Sequence, residues 1–245
     1  QDIKLMKEGG VSELEIMGAK ARYKKTMDEY VKFSKVMKLP EQRDRIYMDG
    51  LGRISTKVGK KILSSMKISI PKEVAEKAGL DKSVEKKINQ AIKKLDKEYT
   101  IYLDSIEGGK LGRGDLFVSG AYLDKDGMLK HGLVFNYNID YNKFESRIKM
   151  LYSTGYMAGK SYEDYIAHEM AHIIPFQNCV TKKDYDKLTD EIYKSFVKGI
   201  SKYADKEHDG RESLAEAFVR YRNGEKIPDE SRKLIEKYIL PWRRK

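Results

Sequence analysis

This chain is poor in cysteine, proline and histidine. One cysteine in 245 residues, Cys179, excludes an internal disulfide. No histidine is placed to activate it, so its expected role is that of an inert thiol rather than a nucleophile. With only five prolines, few positions are barred from continuing a helix or strand. No apolar run approaches the roughly 20 residues of a membrane-spanning helix, and no leader pattern is visible, which argues against a membrane partner. Internal repeats and low-complexity tracts are absent too, which removes solenoids and fibrous folds.

What is present suits a globular domain. Hydrophobic residues make up 40% of the chain, ample for a core, so disorder throughout is excluded. The formal net charge is +11, which raises the question of nucleic acid. The lysines, however, lie among acids, as in "KKLDKEY" and "VTKKDYDKLTDEIYK", the usual mark of solvated helix faces. Basic clusters stand at 55–61, "STKVGKK", and at the terminal "RRK". Any nucleic-acid contact is expected to be a non-specific one with phosphates.

The pattern divides the chain into a helical N-terminal arm, 1–55, and a second domain, 56–245. Apolar residues recur at helical spacing over 11–38 before Pro40, and the glycine-broken "MDGLGRIS" at 48–55 marks the boundary. A short strand, "MKISI", precedes Pro71, and a short helix is expected over 72–79. Asp81 caps a helix to Tyr99 with Val84, Ile88, Ile92 and Leu95 as its buried stripe. Strand character follows at 100–106, 116–123 and 131–139, the last two joined as a hairpin around Asp126-Gly127. Residues 140–160 read as an irregular connection. Ser161 and Asp164 form a capping pair that starts a helix at Tyr162, and Pro175 stops it near Ile174. Helices are expected near 182–203, 211–222 and 229–239, so the fold class is α+β.

Two of the four histidines stand in "YIAHEMAHIIPF". His168 and His172, one helical turn apart, project from one face and can reach a single ion. Glu169 lies beside them, placed to take a proton from water as general base. A catalytic metal needs a third protein ligand. The helix "HDGRESLAEAFVRY", 208–221, offers Glu212, although Asp209 and Glu212 also have capping-box spacing. His208 is the rival ligand, and His131 reads as a surface histidine.

The motif HExxH, followed by Glu212-Ser213-Leu214-Ala215-Glu216-Ala217-Phe218, resembles the gluzincin metallopeptidases. The likeness is to lethal-factor-like catalytic domains and to the zincin domains of phage minor head proteins and related toxins. "FSKVMKLPEQRDRIYMDGLGRIS" is similar to segments that precede zincin domains in head-morphogenesis proteins. The resemblance implies a zincin-like fold, with a small mixed sheet whose edge strand lies over an active-site helix and a helical C-terminal half. It implies one Zn2+ per chain on His168, His172 and Glu212, Glu216 orienting a ligating imidazole, and Tyr203 as oxyanion donor. It also implies a substrate edge strand, for which Gly132, Leu133, Val134, Phe135 and Asn136 are the candidates. The reaction expected is hydrolysis of a peptide or protein substrate, in a phage-capsid or self-processing setting. The alternatives are a phage assembly protein that keeps the fold, and a basic nucleic-acid module with structural zinc.

Overall fold

The computed structural model describes residues 69–244, except 113–114, 124–128 and 180–181. The expected N-terminal arm, the boundary at 48–55, most of the "MKISI" strand and the Asp126-Gly127 turn lie outside the described residues.

The fold begins with two helices, α1 (Lys72–Lys77) and α2 (Lys82–Glu98). Asp81 caps α2 by accepting from the Val84 amide at 2.8 Å. Its stripe is buried as expected: Ile88 and Leu95 are fully inaccessible. The next element is strand β1 (Ser105–Gly109), which starts later than the sequence suggests because 101–104 makes no ladder. Strands β2 (Phe117–Leu123) and β3 (Leu129–Asn136) follow.

These strands form one mixed sheet in the order β1-β3-β2. β2 and β3 are the antiparallel hairpin read from the sequence, with Phe117 opposite Phe135. β1 runs parallel to β3, with Ser105 opposite Gly132. β3 is therefore the central strand, hydrogen-bonded on both sides. Its residues Gly132 to Asn136 cannot serve as the expected edge strand, because their backbone groups are already spent on neighbours. Burial agrees: Leu133, Phe135 and Asn136 are inaccessible. His131 is also fully buried, not on the surface, since it sits on that same central strand.

Residues 141–153, expected to be irregular, form helix α3 (Tyr141–Ser153). Tyr141, Phe144 and Ile148 bury one helical face, a stripe that the surrounding tyrosines and glycines obscure in the sequence. Helix α4 (Tyr162–Ala171) starts at the Ser161 cap, whose Oγ accepts from the Asp164 amide at 3.2 Å. It ends at Ala171, earlier than expected, and Ile174–Phe176 is a separate 3-10 turn. Gln177 then ties this turn to the strand side of the fold, donating to the Thr100 carbonyl at 2.9 Å and accepting from the Tyr102 amide.

The expected helix over 182–203 is two helices, α5 (Lys182–Tyr193) and α6 (Lys202–Glu207). Between them Gly199 adopts a φ of 85°, and Ser201 caps α6 by accepting from the Ala204 amide. The chain ends in α7 (Gly210–Arg222), α8 (Asp229–Tyr238) and a 3-10 turn at Leu240–Trp242. The class is α+β. α4 is held between α2, α7 and β2, and this packing places the motif. Among the described residues no helix is long and apolar enough to cross a membrane.

Candidate metal centre

Helix α4 buries every residue from Tyr165 to Ala171, so the motif sits in the interior rather than on a solvated face. His168 belongs to the helix proper. His172 is its C-cap, still in right-handed helical conformation at φ −78°, so the two rings keep their one-turn relation. Their Nε2 atoms are 3.2 Å apart.

Helix α7 brings the carboxylate. Asp209 caps it by accepting from the Arg211 amide at 2.7 Å, and its carboxylate also pairs with the Arg211 guanidinium. Glu212, in the first turn, points its Oε2 at the imidazoles: 3.2 Å from His168 Nε2 and 3.5 Å from His172 Nε2. Capping therefore falls to Asp209, and Glu212 is free to act as a ligand. His208 is not near this group; it is exposed, left-handed at φ 52°, and packs its ring on Phe196.

The start of α7 is seated unusually close to the end of α5. A Cβ at Gly210 would stand 1.9 Å from the Ile192 carbonyl oxygen and 2.7 Å from that of Tyr193. Backbone cannot swing away as a side-chain tip can. Gly210→Ala should therefore cost about 3 kcal/mol, or roughly 6–12 °C in Tm, and pull Glu212 off the imidazoles. Thermal unfolding checks this, and a shift below about 2 °C would mean that the helices part without strain.

His168 is bracketed by α7. Glu216, one turn after Glu212 and fully buried, places Oε1 2.8 Å from His168 Nδ1. Its other oxygen accepts from the Ala158 amide at 2.7 Å. A carboxylate can only accept, so Nδ1 carries a proton in either charge state, and Nε2, once it gives up its own proton, is the donor atom left facing Glu212 and His172.

Charge in this cluster is strongly coupled. Burial alone would push the His168 imidazole down, but the carboxylates of Glu212 and Glu216 against its two nitrogens outweigh it and hold it well above the usual range. Burial alone would raise Glu212, but His172 and His168 hold its carboxyl well below the usual range. Tyr203, at the start of α6, has its ring 6.2 Å from that of His168. Burial, then the charges of Glu212, Glu207 and Glu169, push its phenol far up, so it stays a hydrogen-bond donor.

The donor set fits a small divalent cation. Zinc bonds of about 2.0–2.1 Å in a tetrahedron put ligand atoms about 3.3–3.4 Å apart. The three separations here, 3.2, 3.2 and 3.5 Å, match one face of that tetrahedron. Among the described residues Glu212 Oε2 is buried without a well-aligned hydrogen bond, a position that a cation would satisfy. Since His168 is held protonated, zinc binding near pH 7 should release a proton and tighten as pH rises. Calorimetry in buffers of different ionisation enthalpy measures this, and uptake of protons would exclude His168 as a ligand.

A cavity of about 170 Å³ opens over the three donors. Glu169, Tyr203, Phe176, Tyr185 and Arg211 line it together with the donors. β2 borders it with Phe117, Val118, Ser119 and Gly120. Ser119 Oγ donates to the Glu169 carbonyl at 2.7 Å, fastening this strand to α4. β2 pairs only with β3 among the described residues, so it is the edge strand at the site. The sequence contains the strand but nothing that marks it as the edge, and nothing in it singles out Ser119 or Arg211, since only contacts across elements do so.

Comparison with family models, with curated proteins and with solved structures returned no match to this chain.

Proposed function

We propose that this chain is a zinc-dependent metallopeptidase of gluzincin type with a zincin-like fold. The observation that carries the reading is the convergence of His168, His172 and Glu212 within tetrahedral-face distances beside an acid, Glu169, that is not one of the three donors. A structural zinc site is closed by four protein ligands and needs no such acid. Among the described residues three donors meet, and the remaining side opens onto the cavity.

Bound there, zinc would acidify water and polarise a carbonyl. Glu169 takes the proton of the attacking water and returns it to the leaving nitrogen. The Tyr203 hydroxyl donates to the oxygen that gains negative charge, a contribution of about 3 kcal/mol for a well-placed donor. Glu216 keeps the His168 ring in its ligating tautomer. An extended peptide would add along the outer edge of β2, with Ser119 and its immediate neighbours supplying backbone hydrogen bonds. The substrate is thus a peptide or protein segment able to become a strand.

The test is metal analysis joined to a peptide-library assay. One zinc per chain is expected, with cleavage that a chelator abolishes and added zinc restores. A zinc-loaded chain that cleaves no peptide in the library overturns the reading in favour of an assembly role.

A further inference from the structure

Tyr203 stands second in α6, a helix of only 6 residues that cannot fix the phenol by itself. The first amides of a helix have no partner inside it. Here the partners come from the connection between α3 and α4. The Lys202 amide donates to the Gly155 carbonyl at 3.0 Å, and the Tyr203 amide to the Tyr156 carbonyl at 2.9 Å. The next amide, that of Ala204, donates to the Ser201 hydroxyl at 3.1 Å. The Tyr156 ring also lies against that of Tyr203, with centroids 6.1 Å apart.

Two successive carbonyls reach one helix start because the chain turns at Gly155, whose φ of 67° is left-handed. The turn closes the end of α3: the Gly155 amide donates to the Tyr152 carbonyl and the Tyr156 amide to the Leu151 carbonyl, each at 2.9 Å. A Cβ on Gly155 would meet nothing within 4 Å. Space is therefore not what demands glycine here; the backbone angle is. Three residues on, the Ala158 amide holds Glu216, so one short connection steadies both Tyr203 and the carboxylate behind His168.

We propose that Gly155 is a positioning residue of the site: its left-handed turn fixes the backbone of Tyr203, and through it the phenol beside the metal donors. Calling that phenol an oxyanion donor rests on the peptidase reading above. The backbone arrangement itself can be tested without turnover.

The variants are Gly155→Val and Gly155→Asn, made in the zinc-loaded full chain. Both add a side chain of similar size into open space, but a β-branched residue resists the left-handed region and asparagine tolerates it. In Gly155→Val the amides of Lys202 and Tyr203 should exchange with solvent about tenfold faster, the value of one hydrogen bond. The Ala204 amide, held by Ser201, should keep its protection and serves as the reference. In Gly155→Asn all three should exchange as in the parent. Gly155→Ala, strained less than valine, should fall between, and it carries the comparison if valine prevents folding. On the peptidase reading, Gly155→Val should lower kcat about tenfold with KM and zinc content unchanged, because a small displacement of a catalytic group is costly. Tyr203→Phe should lower kcat about a hundredfold. Adding Gly155→Val to it should cost nothing further, since the hydroxyl being positioned is already gone.

Unchanged exchange at Lys202 and Tyr203 in Gly155→Val, or an equal loss of protection in Gly155→Asn, overturns the proposal. So do losses in kcat that multiply in the double variant, because Gly155 would then act elsewhere than through Tyr203; that outcome keeps the peptidase. Faster exchange at the two amides in a chain that cleaves no peptide keeps the positioning role and rejects the peptidase.

Discussion

Glu169→Gln should abolish peptide hydrolysis, by about a thousandfold in kcat, while one zinc per chain remains bound. The reasoning begins with what the substitution spares. Glutamine has the shape of glutamate, and Glu169 is 9% exposed in a closely packed helix, so the fold has no cause to change. The three donor atoms belong to other residues, so metal content should be unaltered. The backbone carbonyl of residue 169 still accepts from Ser119, so β2 stays in place. Lost is a group able to take a proton from water and deliver it to a leaving nitrogen. Lower zinc content would instead make Glu169 a ligand. Undiminished turnover would end its role as base.

Glu212→Ala should remove the metal. Two imidazoles remain, and the site loses its anionic donor together with the negative charge that offsets a divalent cation. Zinc analysis after dialysis should fall from one per chain to a small fraction, and activity should go with it. A second readout is thermal. Zinc that binds the folded state raises stability by about 4 kcal/mol at a concentration a thousandfold above Kd. The parent chain should therefore gain several degrees in Tm on adding zinc, roughly 2–4 °C for each kcal/mol, and the variant almost none. Unchanged stoichiometry in Glu212→Ala would move the third ligand elsewhere. His208 is not the candidate, as it lies on Phe196 and outside the cluster. The alanine variant also relieves His168 of one of its two carboxylates, so its imidazole should become less basic.

These two substitutions act on the same site yet separate its functions. On the peptidase reading Glu169→Gln should keep the metal and lose the chemistry, and Glu212→Ala should lose both. A protein whose zinc is structural would respond differently, with Glu169→Gln silent and Glu212→Ala unfolded. Glu216 belongs with the second group, since its buried carboxylate fixes the His168 tautomer and the Ala158 backbone at once.

What the sequence determined by itself is local. The one-turn spacing of His168 and His172 follows from helix geometry, and Ser161 and Asp81 declare their helices by capping chemistry that depends on neighbours in the chain. The pairing of β2 with β3 was legible for the same reason, because a hairpin is a short-range event. Glu212 and Glu216 could be named as partners of the motif only through a resemblance. Helical periodicity puts them on one face but does not say which helix that face meets. Helix α3 escaped because its stripe of Tyr141, Phe144 and Ile148 is sparse, and burial rather than propensity makes it helical. Tertiary structure alone decided which strand is the edge. β1 joins β3 in parallel from a distance, a pairing that leaves no trace in local pattern, and by occupying one side of β3 it leaves β2 beside the metal donors. The Tyr165 hydroxyl, without a partner among the described residues, is of the same kind: whether a polar atom has a partner depends on everything packed around it, and no stretch of sequence contains that information.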